Sequence, residues 1–239
     1  MPSLSAARGR GLAIKTLSNM RSFGMGLNSY CNANKDAVPA FYAPKLPPFA
    51  PFKFDFGPLG DGSWFAHSYL AALAITAELD DVRIATAPGN PKPFLVREHR
   101  GQQVSLSDYR LSETLYAMPR FFNATTMGGP EQWGSQRLTD IRYPSIKGII
   151  VQRRLYHYPQ YGVLPACCSS NIPSPVMFGD MSVSEEDIGS MPKGIGNPYV
   201  RTSRDPSADP VGHSGPPIID TIDGIAGRDK VKLLPVRTR

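Results

Sequence analysis

The chain has 239 residues, of which 24 are Pro and 22 Gly, so about one in five interrupts regular structure, against roughly 12% for the pair on average. Charged residues make up only 19%, too few for a typical disordered tail, while 41% hydrophobic residues suffice for a modest core. The net charge of +6 belongs to the ends: residues 1–35 carry five bases and no acid, residues 228–239 carry five bases against Asp229, and the body between is net acidic. That split excludes a general nucleic-acid-binding face.

Residues 1–35 form the first predicted unit, a basic arm. Ile14, Leu17, Met20 and Phe23 recur at helical spacing, with Lys15 and Arg21 off the stripe. An amphipathic, Arg- and Ser-rich, acid-free start has the composition of an organellar transit segment. Its alternative role is a basic arm whose Arg8, Arg10, Lys15 and Arg21 lie on RNA or on an acidic partner surface.

Residues 36–62 are dense in Pro and alternate Phe with Pro or Lys, which predicts extended, polyproline-like chain. Phe49, Phe52, Phe54 and Phe56 would each cost roughly 1.5–3 kcal/mol to leave in water, so they are candidate partner-binding residues. An α+β core is expected over about residues 63–158. Within it, Ser63 caps a helix to about Leu79, with Phe65, Leu70, Leu73 and Leu79 as buried positions. VRIATA (82–87) reads as a strand, and FLVREHRGQQVSL (94–106) as two strands folded at Arg100-Gly101. SDYRLSETLYAMPRFF reads as a helix ending near Pro119, and IKGIIVQRRLYHY (146–158) as the best strand, buried on both faces because Ile149, Ile150 and Val151 are consecutive.

Residues 159–227 read as an irregular, partner-draping segment, with one helical turn at 183–189 and a short strand and turn at 216–227. Residues 228–239 complete the chain as a basic tail. No stretch reaches the roughly 18 apolar residues of a membrane span. Cys31, Cys167 and Cys168 make no disulfide framework and no zinc spacing. No metal or cofactor is expected.

Two constellations carry the chemistry that could be sought here. Arg153 and Arg154 beside Tyr156, His157 and Tyr158 offer phosphates a cation and bases a stacking surface, so Arg153, Arg154, Tyr156 and Tyr158 are the candidate nucleic-acid contacts. The second is GHSGPP, Gly212 to Pro217, followed by Ile218-Ile219 and Gly224-Ile225. It resembles the nucleophile loop of the trypsin-like serine proteases. That resemblance implies Ser214 as nucleophile, the N–H groups of Gly212 and Ser214 as oxyanion hole, His67 as base and Asp108 as the acid orienting it. The departures are Pro216 after Ser214-Gly215, His213 where the family has an acid, and four or five predicted strands where two barrels need about a dozen.

The sequence therefore predicts a non-enzymatic subunit of a large assembly whose partners are other protein subunits. The expected compartment is the mitochondrion. The alternatives are a virion protein with basic arms facing the genome, a cytoplasmic protein, and a serine protease using Ser214.

Overall fold

A computed structural model describes residues 2–39, 74–90, 95–99, 102–128, 130–152, 155–156, 173–196 and 217–230. The expected extended segment with Phe49, Phe52, Phe54 and Phe56 lies outside them, as does most of the helix expected from Ser63. Residues 74–77 are helical, and Ile75 rather than Leu79 is its fully buried residue.

The basic start is one helix, α1 (Pro2–Ala33). Its buried stripe runs Ala13, Thr16, Met20, Phe23, Leu27 and Cys31, steps of three and four that keep one face inward. The expected stripe was partly right. Met20 and Phe23 are fully buried and Leu17 half-buried, but Ile14 is 69% exposed. The true stripe opens on small residues, Ala13 and Thr16, and the Thr16 hydroxyl satisfies itself on the Leu12 carbonyl (2.9 Å).

The core sheet has four antiparallel strands in the order β3 (Tyr109–Leu111), β4 (Gly148–Gln152), β5 (Ser174–Phe178) and β6 (Val183–Glu186). A separate hairpin pairs β1 (Leu95–His99) with β2 (Gln102–Leu106), Leu95 opposite Leu106 and His99 opposite Gln102. The two expected strands are present and paired, while Arg100-Gly101, where the fold was expected, lies outside the described residues. An antiparallel sheet with a packed helix makes the described body a mixed α+β structure.

One face of the sheet meets α1. Met20, Phe23, Leu27 and Cys31 join Tyr109, Leu111, Ile149, Ile150 and Met177 in a single apolar cluster. Phe23 tilts against the Tyr109 ring at 5.7 Å. The other face packs Val151, Val176 and Phe178 against Ile188, Met191, Ile218 and Ile219. Strand β4 is therefore buried on both faces, as its apolar run predicts. Its irregular alternation has a cause: the register with β5 shifts between Gly148 and Ile150, a bulge that leaves Ile149 and Ile150 in the same cluster.

Four segments differ from expectation. VRIA (82–85) is a 3-10 turn, because the Asp81 carboxylate accepts from Arg83 N (2.9 Å) and caps it. The stretch from Asp108 is not a helix but β3, a 3-10 turn at Glu113–Leu115 capped by Ser112, and another at Pro119–Phe122. Almost every residue from Ser107 to Ala117 is buried, so the chain has no solvent face to offer a surface helix. The helical turn expected at 183–189 is β6 followed by a 3-10 turn at Ile188–Ser190. Of the expected strand and turn at 216–227, the described residues 217–227 supply turns and a 3-10 turn at Gly224–Ala226 but no strand.

Strand β5, inside the segment expected to be irregular, was hidden by Pro175. Pro has no N–H to give to a ladder, so a central strand seldom carries it. The structure avoids the conflict because β4 pairs only with Val176, Met177 and Phe178, leaving Pro175 to face Glu185 of β6 alone.

Two glycines let α1 approach its neighbours. A Cβ on Gly26 would stand 2.7 Å from the Ile75 carbonyl oxygen and 3.0 Å from its Cγ2, whereas one on Gly24 would clash with the Met177 tip, at 2.3 Å from Cε, and otherwise meet Met181 Sδ at an ordinary 3.6 Å. Backbone cannot yield as a methionine tip can. Gly26→Ala is expected to destabilise the chain by about 1–3 kcal/mol in urea melts, despite Ala's better helix propensity, and Gly24→Ala by less. Equal effects would remove the argument.

Candidate functional site: a buried lysine clasp and a basic cleft

The residues proposed for catalysis do not come together among the described ones. Asp108 is buried and committed to structure. One carboxylate oxygen accepts from Ala87 N and Asn90 Nδ2, both at 2.8 Å, and the other from the Tyr156 hydroxyl at 3.2 Å. It holds the 85–90 loop against the sheet. His67 and Ser214 lie outside the described residues, as do Cys167, Cys168, Arg153, Arg154, His157 and Tyr158. Tyr156, the one described member of the basic-aromatic cluster, is half-buried and bonded to Asp108. Cys31 is fully buried, and burial followed by the nearby Asp36 charge pushes its thiol up to about 12, so it is no nucleophile. Among the described residues no group of three or more His, Cys, Asp or Glu could hold a metal, and no helix is long and apolar enough to cross a membrane.

The strongest electrostatic feature was not anticipated. Lys147, immediately before β4, is fully buried, and its Nζ lies 2.9 Å from Asp229 Oδ2. The ammonium also donates to Thr221 Oγ1 (2.7 Å), Gly148 O (3.0 Å) and Ile218 O (3.4 Å). Asp229 accepts further bonds from Gly148 N (2.8 Å), Ile218 N (3.2 Å) and the Thr221 hydroxyl (2.5 Å). Burial pushes the Lys147 pKa down and the Asp229 charge opposes it. Every proton and lone pair that matters is engaged, so this is a clasp fixing the 217–230 segment to β4.

The clasp also over-determines a strained residue. Ile218 has φ +69°, rare for a β-branched side chain. Its carbonyl takes the Ser112 hydroxyl at 2.6 Å, its N–H goes to Asp229, and its side chain is fully buried. Residues 228–230, expected to begin a tail, belong to this body: Lys230 pairs with Glu186 and stands 4.4 Å over the Phe178 ring.

Beside the clasp lies a second charged group. Arg110 pairs with buried Glu113, and Asp220 is fully buried next to Glu113. Burial and then the Glu113 charge push the Asp220 carboxyl well above the usual range, with Arg110 and Lys147 opposing. A raised folded-state pKa contributes stability that is complete below the unfolded value of about 3.9 and is lost as pH rises through the folded value. Asp220→Asn removes that loss while keeping an amide donor for Glu113. Its stability is therefore expected to match the parent near pH 4 and exceed it increasingly toward neutral, measured by thermal melts across pH. A parallel pair of curves would contradict the neutral carboxyl.

On the outer side of the same segment opens a cleft of about 380 Å³, lined by Arg142, Tyr143, Pro192, Lys193 and residues of the Thr221–Arg228 loop. The Arg228 guanidinium lies 4.1 Å from the Tyr143 ring centre and donates to its hydroxyl at 2.9 Å. Arg142 stands 5.5 Å from the same ring. Asp223, the carboxylate of the lining, accepts from Asn123 Nδ2 at 3.1 Å. None of Lys147, Asp229, Arg142, Lys193 or Arg228 stood out in the sequence, because partners 82 residues apart share no local pattern. The one available signal was a lysine directly preceding the apolar run Gly148–Val151. Set against family models, curated proteins and solved structures, the chain matches none.

Proposed function

We propose that this chain is a non-enzymatic structural subunit of a large assembly, docked through the solvent face of α1, and that it works in the mitochondrion. The observation that carries the reading is the composition of that face. Leu4, Ile14 and Met25 are 75%, 69% and 61% exposed. At 100° per residue they fall within about 80° of one another, opposite the buried stripe. Arg8 and Lys15 flank this ridge on one side and Arg10 and Arg21 on the other, all exposed, with no acid anywhere in the helix.

Apolar residues left in water between two basic rows suit an acidic, partly apolar groove on a partner. The same acid-free helix supports the organellar address. The committed, buried state of Asp108 supports a scaffold rather than a catalyst.

The test is the native mass of the endogenous particle, compared with that of a chain carrying Arg8→Gln, Arg10→Gln, Lys15→Gln and Arg21→Gln. A particle far above monomer size is expected, which the variant leaves while keeping its thermal melt. A free monomer, or a serine-directed probe that labels Ser214, would replace this reading. A reporter fused to residues 1–35 is expected in mitochondria, and a diffuse reporter would overturn the compartment.

A further inference from the structure

We propose that the cleft formed by Arg142, Tyr143, Lys193 and Arg228 binds a small phosphate-bearing ligand, of the size of a nucleotide or a sugar phosphate. Three cations converge there from separate segments, at 142–143, 193 and 228. Among the described residues no carboxylate lies within ion-pair distance of any of them, and the rim carboxylate of Asp223 is engaged by Asn123. Three cations against the single carboxylate of Asp223 leave the cleft net positive, and an anion bound there offsets their mutual repulsion.

Two of the cations are also held against an aromatic ring. Arg228 is stacked on Tyr143 and bonded to its hydroxyl, which fixes the planar fork of its guanidinium. A fixed fork is what bidentate phosphate recognition uses. Arg142 approaches the same ring, so one aromatic positions two guanidinium groups.

The floor is equally rigid. Thr221 is tied to Asp229 and Lys147. A Cβ on Gly227 would stand 2.0 Å from the Ile222 carbonyl oxygen, so the loop from Thr221 to Arg228 is drawn tightly closed. The buried clasp thus anchors the residue next to Arg228 and pre-organises the cleft, which lowers the ordering cost of binding. Its volume of about 380 Å³ lies in the range of small-ligand sites, roughly 300–1,000 Å³. A nucleic-acid strand needs instead a groove that tracks many phosphates.

Inorganic pyrophosphate titrated calorimetrically into the full chain at low ionic strength tests this. Saturable one-to-one binding is expected, weakened roughly tenfold or more by Arg228→Gln and by Arg142→Gln, since each removes a charge-assisted bond. Both side chains are exposed, so each variant is expected to keep the parent melting temperature. The quadruple glutamine variant of α1 is expected to bind pyrophosphate as the parent does. Absence of saturable binding to the folded parent, or variants that bind equally well, would overturn the site. So would a single-stranded oligonucleotide that binds in place of pyrophosphate and is lost with the α1 charges.

Discussion

Lys147→Met is expected to destabilise the chain by about 3–5 kcal/mol, because it strands the Asp229 carboxylate in a site that is 1% exposed. Out of a typical total of 5–15 kcal/mol, that is enough to bring the chain near unfolding at ordinary temperature. The loss has two parts. The carboxylate loses its counter-charge. Ile218, held at φ +69°, loses one of the bonds that keep it there. Asp229→Ala is expected to do at least as much harm, since it abandons the buried ammonium together with Gly148 N and Ile218 N.

The informative variant is the pair Lys147→Met with Asp229→Asn. It removes both charges yet keeps an acceptor for those N–H groups, so it is expected to recover most of the single-variant loss. Guanidinium melts of the three variants measure this. A double variant no better than Lys147→Met would mean that side-chain volume, not stranded charge, sets the cost.

What the sequence made legible followed from local rules. The hairpin at 95–106 follows from two strand-forming runs around Arg100-Gly101, and the doubly buried β4 from three consecutive β-branched residues. The helical nature of α1 was legible from spacing. Its rotation was legible only in part: Met20 and Phe23 are buried as their spacing predicts, while the helix opens its contact with Ala13 and Thr16 and leaves Ile14 in water. Residues 107–122 misled because Ser107 through Ala117 sit almost wholly buried at the centre of the body, where packing overrides propensity. The GHSGPP motif drew attention to Ser214. The charged residues that organise the fold lie just beyond it and pair with positions far back in the chain. No spacing rule reaches from Lys147 to Asp229, or from Ser112 to Ile218.

Removal of residues 1–33 is expected to abolish folding, the largest effect any change to this chain should have. Met20, Phe23, Leu27 and Cys31 are all fully buried against the sheet. Phe23→Ala alone is expected to cost about 3–5 kcal/mol, as a large buried aromatic removed from a packed cluster. Three or four losses of that order together exceed the whole stability of a typical domain. Ile14→Ser, on the exposed face, is expected to change stability by no more than about 0.5 kcal/mol.

Near-ultraviolet circular dichroism and limited proteolysis of the truncated chain give the readout. Lost tertiary signal and rapid digestion are expected. A truncated chain that still melts cooperatively would make α1 an accessory rather than a core element. The expected result bears on the address as well. A segment whose inner face completes the core can direct the chain to an organelle only if it is kept on arrival. In the role proposed above, the inner face of α1 holds the fold and its basic, acid-free outer face is left for the partner.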